Sequence, residues 1–160
     1  VTYVNNHDSH LHDDDLYVLD WFKPLAYALI LLRKDGYPCI FFGDYYGIEG
    51  PDPRDGQQWI IDQLLDIRRD FAYGEQEDYF DHESIIAWIR RGNENHPDGC
   101  VVIMSNDEAG EKKIFVGTDY AGSVWYDKLG HIENDIIIDE DGHANFPVRE
   151  GSVSVFLKKN

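Results

Sequence analysis

The chain is poor in the residues that would staple it, carry it through a membrane or bring it to nucleic acid. It has two cysteines, Cys39 and Cys100, in 160 residues, too few for a disulfide framework. Both fall inside apolar, strand-like runs, which predicts two buried free thiols and suits a reducing compartment. No apolar run approaches the roughly 20 residues that span a bilayer, and no signal-peptide pattern is visible. Lys and Arg number 14 against 31 Asp and Glu, a formal net charge of −17. Such a surface does not neutralise phosphates, which argues against a nucleic-acid groove. It fits a neutral ligand or bound cations. Methionine occurs once and not at position 1. The chain opens inside the strand-like Val1-Thr2-Tyr3-Val4, so the natural N-terminus is expected elsewhere.

Hydrophobic residues make up 42% of the chain and aromatics 14%, a globular rather than disordered balance. Val1 to Val4 reads as a buried strand that runs into Asn5-Asn6-His7-Asp8. A polar loop follows, from Ser9 to Asp15. Leu16 to Arg33 is predicted as a helix, with Phe22, Leu25, Ala26, Leu29, Ile30 and Leu32 near helical spacing and Pro24 near the start of the stronger part of the pattern. Gly36 stops it. Tyr37 to Phe42 reads as a second buried strand. A loop rich in Gly and Pro leads to a second helix, Gln57 to Tyr73, ended by Gly74. Trp59 is assigned to the core face of that helix. The order strand, helix, strand, helix suggests parallel strands with helical crossovers.

The pattern changes after Gly74. Tyr79-Phe80, Ile85–Ile89, Cys100–Met104, Lys113–Val116, Ser123–Tyr126, Ile136–Ile138, His143–Val148 and Ser152–Leu157 are short strand candidates separated by turns. Spacing near ten residues suggests an antiparallel sandwich or Greek key, with Trp88 and Trp125 in its core. The boundary is expected near residues 74 to 78. Two parallel strands with two helices cannot close a barrel and leave bare sheet edges, so the first half is physically incomplete on its own.

In a barrel of parallel strands, the C-terminal strand ends build the active site. His7 and Asp8, just past such an end, suit sugar chemistry. A carboxylate can face a developing oxocarbenium ion, and an imidazole can hydrogen-bond hydroxyls. The plainer reading is a polar loop whose Asn and Asp cap the adjoining turn.

Val1-Thr2-Tyr3-Val4-Asn5-Asn6-His7-Asp8 resembles the fourth conserved region of the alpha-amylase family. The resemblance continues through Trp21–Ala28, Gly36-Tyr37-Pro38, Phe42–Gly47, Phe71–Gly74, Asp78–His82 and Gly151–Val155, in order along the whole chain. It is nearest to the liquefying and intracellular amylases. It implies that residues 1–75 are the last two strand–helix units of a (β/α)8 TIM barrel and that residues 76–160 are an antiparallel Greek-key β-sandwich. It also implies retaining cleavage of α-1,4-glucosidic bonds in starch- or glycogen-type glucans. Asp8 matches the carboxylate that stabilises the transition state, and His7 matches the histidine that binds sugar hydroxyls at the cleavage point. The nucleophile and general acid belong to earlier strands, so the chain alone is expected to be inactive and its partners to be an α-glucan and the remaining N-terminal part of the same enzyme.

Calcium is implied for the whole enzyme, with its main ligands outside these residues. A junction cation site in some relatives maps onto Ser84 and Asn106, where neutral oxygens replace two carboxylates, so no metal residue is assigned here. His7, His10 and His12 with Asp13-Asp14-Asp15 do not have zinc-motif spacing and read as a solvated acidic loop. Asp52-Pro53-Arg54-Asp55 reads as a turn with a charge pair or as a distal sugar contact. Tyr45 and Tyr46 read as wall packing, with sugar stacking as the alternative. A transglycosylating relative and a non-catalytic binding or assembly member are the competing functions. Cytoplasmic residence is favoured over secretion by the similarity to intracellular amylases and the two unpaired cysteines.

Overall fold

Thr2 and Pro38 meet side by side as a parallel β-bridge. Thr2 N donates to the Tyr37 carbonyl at 2.9 Å and Cys39 N donates to the Thr2 carbonyl at 2.8 Å. The structure, a computed structural model, describes residues 1–11 and 17–159, with the backbone alone for His10 and Leu11. The parallel relation expected of the first two strands is therefore present, but only as a bridge. Neither segment becomes a regular strand, because each has one neighbour, and a lone two-stranded pair is marginal in water. Their side chains are open accordingly: Tyr3, Tyr37 and Phe42 are exposed, and so is Cys39, against the expectation of burial.

Among the described residues four helices punctuate the first part: α1 (His7–Leu11), α2 (Lys23–Leu32), α3 (Phe42–Tyr46) and α4 (Gln58–Asp70). The helix predicted from Leu16 starts only at Lys23. Pro24 lies in its first turn, and a proline ring clashes with the carbonyl four residues back, so the helix cannot extend upstream of it. Its far end is closed from a distance. The guanidinium of Arg68 donates to the Leu31 carbonyl, and Arg90 donates to the Leu32 carbonyl at 3.1 Å. Cations on terminal carbonyls also oppose the helix dipole. In α4 the buried residues are Ile60, Ile61, Leu64 and Ile67. Trp59 is 56% exposed, not core as predicted. It lies one residue, about 100° of turn, off the Ile60–Leu64–Ile67 stripe.

The chain then passes from helices to strands at Gly74. That residue has φ +76°, and a Cβ there would come within 1.7 Å of the Gly92 carbonyl oxygen. The two glycines pair as a second parallel bridge that only a missing side chain permits. An antiparallel β-sheet domain follows. Its strands are β1 (Gln76–Tyr79), β2 (Ile85–Arg90), β3 (Cys100–Ser105), β4 (Gly110–Phe115), β5 (Val124–Asp127), β6 (Ile136–Ile137), β7 (His143–Val148) and β8 (Ser152–Lys158). A six-stranded sheet runs β1-β2-β3-β8-β5-β6, and β4 pairs with β7 in a second sheet. All eight predicted strands are present, most within two residues of their expected ends.

The middle strands of the six-stranded sheet are buried on both faces. Trp88, Cys100, Val102, Met104, Val153, Val155 and Leu157 face α2 and α4 in one core. The alternate residues Ile85, Ala87, Ile89, Val101, Ile103 and Phe156 join Trp125, Phe146 and Val148 in a second core against β4 and β7. Strand period 2 thus splits each continuous apolar run between two cores. Trp88 and Trp125 are both core, as predicted. Asp127 is buried where β5 ends. Its carboxylate accepts from the backbone N–H groups of Leu129, His131, Ile132 and Val155, which folds the following turn back onto β8.

Of the large apolar side chains that the described residues leave exposed, all but Phe80 and Ile137 lie at or before Leu65. No described helix is long and apolar enough to cross a membrane.

Cys100 is fully buried in the helix-facing core, and burial pushes its thiol up to about 12. In the native protein Cys100 is expected to resist a thiol reagent and to react only on unfolding. A thiol titration in which Cys100 reacts in native buffer as fast as a model thiol would contradict the packing.

Candidate active site

The first segment reaches its bend through a capped turn. Asn6 Oδ1 accepts from Asp8 N and Ser9 N, both at 2.9 Å. Ser9 Oγ accepts from Asn6 N at 2.9 Å. This reciprocal pair is a capping box that starts α1, so the capping predicted for the turn belongs to Asn6. The side chains of His7 and Asp8 take no part in it. Their side chains are 81% and 78% exposed, with His7 Nε2 and Asp8 Oδ1 3.3 Å apart. The structure therefore presents both residues side by side and open, on a short helix directly after the bridge-forming segment. His12 and Asp13 to Asp15 lie outside the described residues, as does the side chain of His10.

Directly behind this turn is a buried polar cluster. Asp44, on α3, is 1% exposed. Its carboxylate accepts from Asn5 Nδ2 at 3.1 Å to each oxygen and from the Tyr27 hydroxyl at 2.8 Å. It pairs with Lys23 Nζ at 2.8 Å. Lys23 is itself buried and also pairs with Asp20 at 2.8 Å. The Tyr17 hydroxyl donates to Asp20 at 2.7 Å and contacts Lys23 Nζ. A buried carboxylate is tolerable only when paired and fully hydrogen-bonded, and Asp44 meets both conditions.

The electrostatics follow from these contacts. Burial alone would lower the Lys23 ammonium, but hydrogen bonds to Asp20, Asp44 and Tyr17 outweigh it and hold Lys23 above the ordinary lysine value. Burial and then the bond to Asp44 push the Tyr27 hydroxyl well above the usual tyrosine range. Asp20 is lowered: burial would raise it, and the bonds to Lys23 and Tyr17 overcome that.

The loop after α3 comes to the same place. Ile48 and Arg54 form an antiparallel bridge, and Arg54 pairs with Asp52 at 3.2 Å, the charge pair read from the sequence. The Arg54 guanidinium lies 4.5 Å from the centroid of the Tyr17 ring, a cation–π distance. Arg54 and Asp55 also line an open depression of about 670 Å³ with Phe42, Tyr46 and Glu49. Tyr45 packs against the core and bonds Asp62 at 2.6 Å through its hydroxyl. Tyr46 is exposed and stands against Phe42, ring centroids 4.8 Å apart.

Ser84 and Asn106 do come together, Asn106 N donating to the Ser84 carbonyl at 3.2 Å, beside Glu83 in a cavity of about 110 Å³. Their side chains offer neutral oxygens, a weak set for a hard cation. Among the described residues no group of three or more His, Cys, Asp or Glu is placed to hold a metal ion, and Ser84 and Asn106 fit a calcium ion poorly.

Comparisons with known proteins decide the kinship. Residues 100–157 match the model of the alpha-amylase C-terminal family. The chain is 47% identical, over 99% of its length, to a glucan 1,4-alpha-maltohexaosidase of Bacillus sp. strain 707. The chain belongs to the alpha-amylase family. It is also 44% identical over 99% of its length to an alpha-amylase of Geobacillus stearothermophilus, and 44% identical over 98% to a cytoplasmic alpha-amylase of Escherichia coli K12. It spans about a third of these relatives, 31%, 29% and 34% of their lengths, and corresponds to their C-terminal portion. Among solved structures, the alpha-amylase of Anoxybacillus superposes with a TM-score of 0.68 over 98% of this chain and 37% of that one, at 16% identity. The gamma-CGTase of an alkalophilic Bacillus clarkii gives 0.65 over 97% and 25%, at 19% identity. At such identities the likeness is one of fold alone.

Sequence reasoning singled out His7 and Asp8 but missed Asn5, Lys23 and Asp44. The available signal was Lys23 opening the otherwise apolar run Pro24 to Leu32. A lone charge there calls for a buried partner.

Removing the Lys23 charge is expected to be costly. Lys23→Met leaves Asp44 buried without its cation, a loss of about 3–5 kcal/mol, read by denaturant unfolding near neutral pH. Because the folded state raises the Lys23 value, its stabilisation is complete below the ordinary 10.5 and is lost as pH rises above that through the folded value. The gap between parent and variant should therefore narrow in strong alkali. A gap that instead widened would contradict the pairing.

Proposed function

We propose that this chain is the closing part of a retaining enzyme that hydrolyses internal α-1,4-glucosidic bonds of starch- or glycogen-type glucans. Residues 1–75 are the last two strand–helix units of its (β/α)8 barrel, and residues 76–160 are its Greek-key β-sandwich. The observation that carries the reading is the position of His7 and Asp8, open and adjacent, immediately after a segment that bridges in parallel to Pro38. In such barrels the catalytic groups stand past the C-terminal ends of parallel strands.

Asp8 is the carboxylate that stabilises the oxocarbenium-like transition state, and His7 donates to or accepts from hydroxyls of the sugar being cleaved. A retaining reaction also needs a nucleophile and a general acid/base, carboxyl groups about 5–5.5 Å apart. These come from the N-terminal part of the same enzyme, which is the chain's structural partner. The exposed apolar side chains before Leu65 are the surface it covers. Calcium, as far as the enzyme uses it, is held by that other part.

Hydrolysis is favoured over transglycosylation by the names of the relatives at 38–47% identity, three alpha-amylases and one maltohexaosidase. Product analysis separates the two, since both use the same carboxylates. A non-catalytic member is the remaining alternative and is refuted if the N-terminal part supplies the Asp and Glu. Cytoplasmic residence is supported by the 44% identity to a cytoplasmic amylase and by two free cysteines; cell fractionation decides it against secretion.

In the enzyme that contains this chain, Asp8→Asn is expected to lower turnover on soluble starch by several orders of magnitude. Its thermal unfolding should change little, because the side chain is open to solvent. A variant that kept near-normal turnover would remove Asp8 from the mechanism. The 160-residue chain alone should release no reducing sugar.

A further inference from the structure

We propose that Asn5 is the positioning residue for Asp8, tying the backbone just ahead of α1 to Asp44 and to Val18; this rests on the role given to Asp8 above. Among the described residues the Asp8 carboxylate, 78% exposed, pairs with no side chain but that of the neighbouring His7, itself 81% exposed. Its place in a cleft is therefore set by the backbone beneath it.

That backbone is anchored at Asn5. Asn5 is 2% exposed, and all of its amide is used. Nδ2 donates to both oxygens of Asp44, and Oδ1 accepts from Val18 N at 3.1 Å. Asn5 thus ties the backbone at Val18 to the same carboxylate-anchored point. Asp44 in turn does not move easily. Lys23 and Tyr27 of α2 hold its side chain. Its backbone N donates to the Phe41 carbonyl at 3.1 Å, and its carbonyl accepts from Gln57 N at 2.7 Å, just ahead of α4. Asn6 then passes the placement on through the capping box to α1 and Asp8. The amide is matched to this task. It supplies a donor toward a carboxylate and an acceptor toward a backbone N–H, from one planar group. An aliphatic side chain of the same size supplies neither.

The consequence is kinetic. Misplacing a reacting group by about 1 Å can cost about 100-fold in rate, with little effect on substrate contacts made elsewhere. In the full-length enzyme, Asn5→Leu and Asn5→Ser are compared with Asp8→Asn and with Val101→Ala, which loosens the core on the side of the sheet away from α2. Each is assayed on soluble starch well below its own melting temperature. Both Asn5 variants are expected to lose about 10–100-fold in kcat with KM within about threefold. Val101→Ala should lower the melting temperature while keeping kcat within about twofold of the parent. If Asn5→Leu does not fold, Asn5→Ser, smaller and polar but too short to reach both partners, decides the matter. Asn5 variants that lose stability while keeping the parent kcat overturn the proposal and leave the role of Asp8 standing. An Asp8→Asn enzyme that remains active overturns both.

Discussion

The structure depends on a central sheet that has no solvent face at its middle strands. β3 and β8 are buried from end to end or nearly so, because two helices cover one side and a two-stranded sheet covers the other. That constraint fixes the composition of those strands, which read as continuous apolar runs rather than as alternation. It also fixes α2. The helix lies on β2, β3 and β8 through Leu25, Leu31, Leu32 and their neighbours, so its first residue, Lys23, is delivered to one place. The ion pair with Asp44 and everything mounted on it inherit that placement.

A layered economy of polarity results. The apolar contacts of α2 do the holding, and its buried lysine does the registering. Apolar packing tolerates sliding by a fraction of a turn, whereas a paired charge with three hydrogen-bonding neighbours does not. The cluster sits where the bridge-forming segment, α2, α3 and the approach to α4 converge. Side-chain polar bonds tie the first three together, and the bond from Gln57 N to the Asp44 carbonyl joins the approach to α4. Farther along, Arg33 forms a bidentate pair with Asp78 at 2.9 and 2.8 Å. That pair joins the end of α2 to β1, but it is half open to water and worth correspondingly less.

Much of this was legible in the sequence, for reasons that differ between the two parts. The strands from Gln76 onward are short, separated by turn residues and packed against their own neighbours, so local pattern was enough. His143–Val148 was read to the residue. The stretch from Tyr37 to Phe42 has the same apolar character but lacks flanking strands, and its backbone forms a single bridge before α3 begins. Trp59 was misassigned because one residue of helical rotation separates a core position from an open one. The cluster around Asp44 was not legible at all. Asn5 and Asp44 are 39 residues apart, and nothing local announces that an asparagine at a bend and an aspartate after a glycine will meet. Resemblance gave roles to His7 and Asp8, and none to the matched residues that stand behind them.

The end of α2 carries a further consequence, for the order in which the molecule is made. Its last carbonyls are satisfied by Arg68 and Arg90 rather than by a local cap. Arg90 leaves the ribosome 58 residues after Leu32, about 3–12 s at about 5–20 residues per second. For that interval the Leu32 carbonyl has only water as its partner. The final turn becomes permanent when β2 arrives, so the helix that places Lys23 is completed by the strand that follows it in time.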